Sequence, residues 1–199
     1  MNDDPTTEIL DATYQALCKH GYAELTVQDI AAESAMSKAS IHYHYDSKDD
    51  LFVACLESLY DRYTAHIEAA AGETPRKQLR SLLELLVTDT GEISGTEFRT
   101  AMLELKAQAP YNEEIQDRLV EFDAVLFERL EEIIEAGVSR GEFTDRIDPS
   151  VAAESLTTTI MGAHTRRVAV DHSTDRLYEM MTGYIETNLL TEMTVEGRQ

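Results

Sequence analysis

The sequence predicts an all-α protein of about nine helices in two unequal parts. Three observations predict it. Apolar residues recur at spacings of three and four along most of the chain, and no run alternates apolar with polar as a half-buried strand would. Serine, threonine and aspartate precede the apolar stripes, while glycine and proline close them.

The elements follow in order. A first helix from Thr7 to about His20 carries Ile9, Leu10, Ala12, Tyr14, Ala16 and Leu17, and Gly21 stops it. The run "LTVQDIAAESAMSKASIHYHY" reads as two short helices around a turn. Thr26 caps the first, with Asp29 as its acidic partner three residues on, and Ser37 caps the second. Ser47 caps a longer helix bearing Leu51, Phe52, Cys55, Leu56, Leu59, Tyr60 and Tyr63, which runs to about Ala71. Pro75 suits the first turn of the next, which holds Leu79, Leu82, Leu83 and Leu86. Thr88 to Gly95 reads as a loop, and Thr96 as the cap of a helix that Pro110 ends. A long helix is expected from about Asn112 to Ser139, with Ile115, Leu119, Phe122, Leu126, Leu130, Ile133 and Ile134 on one side. Asp148–Pro149 starts another, which ends near Val170, and Ser173 or Thr174 opens the last.

The bulk numbers narrow the class. The 199 residues, 43% of them hydrophobic, can bury a sizeable core. No apolar run approaches the ~18–20 residues a bilayer span needs, and "MNDDPTTEIL" lacks the basic and apolar regions of a signal peptide, so a cytoplasmic protein with no membrane partner is expected. Cys18 and Cys55 form no CxxC pair and sit at helical spacing among apolar neighbours, which reads as buried thiols. The net charge is −21, and only 5 of the 17 basic residues are lysine. Such acidity opposes compaction unless salt screens it. It resembles the surfaces of proteins from salt-loving organisms. It also argues against a broad basic footprint for nucleic acid.

One stretch runs against that acidity. "SKASIHYHYDSKDDL", Ser37 to Leu51, gathers two histidines, two lysines and two tyrosines. A metal site fails on spacing: His42 and His44 are two apart and point about 200° from each other on a helix. A buried aromatic cluster fails in part. Ile41 and Tyr45 can face a core together, and this turns Lys38, Ala39, Ser40, Tyr43 and His44 outward or sideways. A surface for nucleic acid fits best, with a short helix in the major groove, Lys38 on guanine or phosphate, Ser40 and His42 on base edges or backbone, and Tyr43 on sugar and phosphate. Within residues 37–48 two lysines face one aspartate, so this patch is slightly positive.

Here the run from Thr7 to Phe52 resembles the N-terminal helix-turn-helix domain of the tetracycline-repressor (TetR) family of transcription regulators. The shared pattern is Gly21–Tyr22 after the first helix, Thr26-x-x-x-Ile30-Ala31, the Ser37–Lys38 start of the recognition helix, the aromatic and histidine cluster, and Ser47–Lys48 followed by acids and Leu51. The family's turn usually holds a glycine where this chain has Ala35, a second frequent glycine is Ala39 here, and a common tyrosine is His42. If Ala35 takes positive φ, it costs on the order of 1 kcal/mol. The resemblance implies DNA contacts at Thr26, Gln28, Ser37, Lys38, Ser40, His42, Tyr43, His44 and Lys48, with a DNA-binding domain over residues 1–50 and a regulatory and dimerisation domain over 51–199. No ExxH or HExxH pattern occurs elsewhere in the chain, so no metal is expected, and no cofactor.

A single such head reads too few base pairs to specify a site, so a homodimer on a palindromic double-stranded operator is expected. In the last helix Leu177, Met180, Met181, Tyr184, Ile185 and Leu189 form one apolar stripe, and the helix before it carries the small residues Ala152, Ala153, Ser155, Thr159, Gly162 and Ala163. The stripe reads either as the dimer interface the resemblance implies or as core within the chain. The resemblance also implies a small-molecule effector that weakens DNA binding by favouring the DNA-incompetent state. Candidate linings are Phe98, Met102, Tyr111, Phe122, Phe127, Met161 and His164, with Arg99, Arg166 and Arg167 able to meet an anionic ligand. A helical sensor that keeps this fold without operator binding is the second reading. An enzyme is the third, and the chain has no GxSxG, phosphate-binding glycine loop or Cys-His pattern to support it.

Overall fold

The computed structural model describes residues 4–87, 95–173 and 175–190. Among these it holds nine α-helices: α1 (Pro5–Glu24), α2 (Val27–Glu33), α3 (Lys38–His44), α4 (Lys48–Glu68), α5 (Pro75–Val87), α6 (Thr96–Gln108), α7 (Glu113–Ser139), α8 (Pro149–Val170) and α9 (Asp175–Asn188). A single 3-10 turn, Ala109–Tyr111, follows α6. No strand forms among the described residues; the one β feature is an isolated antiparallel bridge between Phe143 and Leu190. The expected all-α class is what the structure has.

The caps explain most boundaries. Asp148 accepts from Ser150 and Val151 N–H at the start of α8, and Asn112 accepts from Ile115 N–H at 3.1 Å at the start of α7. Ser47 Oγ accepts from Asp50 N–H at 3.0 Å, so α4 starts where its hydroxyl satisfies an orphan donor. Two helix ends differ from expectation, since α1 continues past the break at Gly21 to Glu24 and α4 ends at Glu68, and two starts differ as well. Gly95, not Thr96, is the N-cap of α6, because Thr96 already has helical dihedrals and its hydroxyl is not used as a cap. Helix α1 begins at Pro5, two residues before the expected Thr7, with Asp4 as its N-cap. Of the expected loop from Thr88 to Gly95 all but Gly95 lies outside the described residues, as does Thr174 of the expected start at Ser173 or Thr174.

Compactness divides the chain into two units: Met1–His66 with Gly91–Ala124, and Ile67–Thr90 with Val125–Gln199. Helices α1 to α3 are thus grouped with most of α4, with α6 and with the first half of α7, whereas the sequence analysis expects a boundary at residue 50. In the first unit α1 packs on both α2 and α6. Its interior includes Ile9, Leu17, Ile30, Ile41, Phe52, Leu56 and Leu105. Tyr63 lies against Phe98 and Phe122 there, with ring centroids 6.1 and 5.3 Å apart, and Tyr60 meets Phe122 edge-on at 5.4 Å. In the second unit α5 packs on α9. Leu79, Leu82, Leu86, Leu130, Ile133, Ile134, Ile160, Met181 and Leu189 are buried there. Phe143 turns back onto α7, where Gly137 leaves room for its ring; a Cβ at Gly137 would sit 2.1 Å from it.

Candidate nucleic-acid interface

Helices α2 and α3 are short, with seven residues each, and each is tied at its start by a side chain. At α2, Thr26 Oγ1 accepts from Asp29 N–H while the Asp29 carboxylate accepts from Thr26 N–H at 2.8 Å and from the Thr26 hydroxyl at 2.6 Å. These bonds hold the Asp29 carboxyl below the usual carboxylate range, the Thr26 hydroxyl being the largest cause. At α3, Ser37 Oγ accepts from Ser40 N–H at 3.1 Å.

The turn between them needs no left-handed residue. Among the described residues Asp171 is the one non-glycine with positive φ, so Ala35 carries no such strain. Ser34 is extended, and Ala35 N–H donates to Glu8 Oε1 of α1 at 2.9 Å. The penalty set out for a positive φ at Ala35 does not arise, because the residue does not take that conformation.

On α3 the faces separate cleanly. Ile41 is 1% exposed and anchors the helix, whereas Tyr43 is 86% exposed. Lys38, Ala39, His42 and His44 are exposed and Ser40 is half-buried. The imidazole of His44 meets the Tyr43 ring edge-on at 5.3 Å, so the two form one aromatic ledge. Thr26, Gln28 and Ser37 are also exposed. Tyr45, expected to face the core with Ile41, is half-buried.

Lys48 departs from this pattern. Its ammonium donates to the Tyr22 carbonyl and lies 4.5 Å from the Tyr22 ring centroid and 5.5 Å from that of Phe52. Burial lowers its pKa, partly offset by nearby Asp49. Tyr22 and Asp49 surround it, and the Tyr22 N–H in turn donates to Glu104 Oε2; sequence reasoning named none of these three as site residues. Glu104 is 82 positions from Tyr22, and no local pattern announces that pairing.

The remaining candidates divide. Phe98, Met102 and Phe122 are buried in the first unit. Tyr111 belongs to that unit but is 87% exposed, in the 3-10 turn after Pro110 breaks α6, so it is no part of an interior lining. Phe127, Met161 and His164 are half-buried in the second unit, where His164 Nε2 lies 2.9 Å from the Leu86 carbonyl. Arg99 is buried, whereas Arg166 is exposed. Of the α9 stripe, Met181 and Ile185 are buried within the chain while Met180 and Tyr184 are exposed and Leu177 is half-buried. The single stripe is therefore two. Cys55 is buried as expected; Cys18 is only half-buried, and burial pushes its thiol up to about 11.

A capped, core-anchored α3 set after a short turn behind α2, with its polar face open, defines a helix-turn-helix protein. Comparison with known proteins agrees. Residues 9–55 match the family model for bacterial regulatory proteins of the tetR family, and residues 75–190 match that for the C-terminal part of BetI-type transcriptional repressors. The chain belongs to the TetR family of transcriptional regulators. A TetR transcription regulator from Haloarcula marismortui is 38% identical, superposes with a TM-score of 0.83, and is matched over 92% of this chain and 97% of its own. An uncharacterised HTH-type transcriptional regulator of Mycobacterium tuberculosis is 30% identical over 139 residues, 69% of this chain; the chain spans only 65% of that relative's length. The HTH-type transcriptional repressor KstR2 of Rhodococcus jostii is 27% identical over 155 residues, 75% of this chain and 73% of its own. Among the described residues no helix is long and apolar enough to cross a membrane.

Proposed function

We propose that this protein is a homodimeric repressor that binds a palindromic double-stranded operator through α3 and is released by a small-molecule effector. The observation that carries this reading is the exposure of Lys38, His42, Tyr43 and His44 on a helix whose opposite face, at Ile41, is sealed in the core. Hydrogen-bonding and stacking groups with no role in the fold, held on a rigid rod, suit a major groove. Lys38, Ser40 and His42 are the base-reading candidates, and Tyr43, His44, Thr26, Gln28 and Ser37 the backbone contacts. The match to a BetI-type repressor C-terminal part and the similarity to a named repressor support repression over activation.

The dimer reading rests on a different face. On α8, Val151, Ser155, Thr158, Gly162 and Thr165 are all exposed along one side, and on α9 Met180 is 57% and Tyr184 44% exposed. Exposed apolar side chains beside small residues let helices of two copies approach closely. The acidic, lysine-poor composition and the Haloarcula relative support a protein that works in the cytoplasm of a salt-rich cell.

Mobility shift on the DNA flanking the protein's own gene tests the reading. The wild type should bind, and Lys38→Ala/Tyr43→Ala should lose at least about tenfold in affinity, the scale of one lost base or backbone contact, while remaining dimeric. The acidity of residues 1–66, with 4 basic against 12 acidic residues, favours the alternative of a sensor without operator binding. Wild type that binds no flanking fragment, or a double variant that binds normally, would decide for that alternative.

A further inference from the structure

Tyr22 has every polar group engaged, each by another element of the same compact unit. Gly21, at φ 70°, breaks α1 just before it and turns its amide out of the helical ladder. That N–H donates to Glu104 Oε2 of α6 at 3.2 Å. Its carbonyl accepts from Lys48 Nζ of α4. Its hydroxyl donates to Asp49 Oδ1 at 2.8 Å. The ring packs on Phe52 with centroids 4.7 Å apart, and the Lys48 ammonium lies over its face.

We propose that Tyr22 is the node through which α4 and α6 hold the DNA-binding helices in their operator-ready pose, and that Lys48 acts there as a positioning residue and not as a phosphate ligand. The inference rests on the operator-binding reading. Its chemistry is that of a broken helix end. A backbone N–H and C=O freed by the Gly21 break each need a partner, and charged partners make the stronger bonds. Glu104 supplies the acceptor and Lys48 the donor, so the end of α1 is clamped between two helices by opposite charges. A lysine that neutralises phosphate keeps its ammonium in water until DNA arrives. This one is spent on a carbonyl and two rings, and its lowered pKa reflects that loss of water. A shift of α6 that withdrew the Glu104 carboxylate would leave the Tyr22 amide uncompensated and loosen α1. All four residues belong to one compact unit, so the clamp acts within the unit that carries α3.

Salt dependence separates positioning from phosphate contact. Each phosphate-neutralising lysine contributes about 0.9 to the slope of log K against log salt, so removing one flattens it by that amount. Binding to the fragment upstream of the protein's own gene is measured across a salt series for wild type, Lys48→Met, Glu104→Ala and Glu104→Gln. Amide exchange of Tyr22 is followed in the same four proteins without DNA. Lys48→Met and Glu104→Ala should weaken binding about fivefold or more with an unchanged slope. Their Tyr22 amide should exchange at least about tenfold faster. Glu104→Gln, whose amide oxygen still accepts, should restore both. A slope flatter by about 0.9 in Lys48→Met, an unchanged affinity, or unchanged exchange in either disruptive variant overturns the proposal. Faster exchange in the variants of a wild type that binds no DNA overturns the operator reading instead.

Discussion

Ile41 and Tyr43 stand two residues apart on α3 and have opposite fates, one sealed and one open to solvent. Helical geometry sets them about 200° apart, so one cannot be buried without the other being turned out. Ile41→Ala should therefore destabilise the protein by about 2–5 kcal/mol in a denaturant melt, whereas Tyr43→Ala should leave the melt unchanged and affect DNA alone. Gly137 is held to glycine by contact and not by dihedral, since Phe143 fills the space a methyl would occupy. Gly137→Ala should cost about 1–3 kcal/mol, and adding Phe143→Leu should recover part of it. Asp29 supplies a pH dependence. Its folded-state pKa is depressed, so the stability it contributes is present above the unfolded carboxylate range and is lost as pH falls through the folded value. Asp29→Asn should remove that component of the acid limb of a pH–stability curve.

At the level of elements, α9 shows how one apolar stripe can serve two masters. Met181, Ile185 and Leu189 recur at intervals of four and face their own chain, while Met180 and Tyr184 recur at the same interval one position earlier and face out. Met180→Glu/Tyr184→Glu should convert the proposed dimer to a folded monomer in sedimentation and abolish operator binding. Met181→Glu should instead lower the melting temperature, because it buries a charge without a partner. The α2–α3 turn carries a related lesson. Glycine is not needed at position 35 because φ there is not positive, and Glu8 of α1 receives the Ala35 amide. Such a substitution is invisible to a local reading of the turn.

The whole molecule carries a charge of −21, and residues 1–66 hold only 4 of its 17 basic side chains. Self-repulsion of that size weakens with screening. The melting temperature should rise as potassium chloride increases from about 0.1 M to about 2 M; a fall would contradict the reading of the surface. The same scarcity of cations limits how many phosphates a head can neutralise. The log–log slope of operator binding should stay shallower than about −8.

The all-α class, most helix starts and the outward face of α3 were legible in the sequence, because they depend on interactions within four residues: apolar spacing, capping hydroxyls and carboxylates, and glycine or proline stops. Tertiary packing alone decided the rest. Lys48 turned inward because Tyr22 offered it a carbonyl and a ring. Tyr111 was left on the surface by the turn after Pro110, and the α9 stripe was split because α5 covers only one side of it. The Lys48 and α9 outcomes depend on partners tens of residues away, whose positions follow from how helices pack and from nothing in the local pattern.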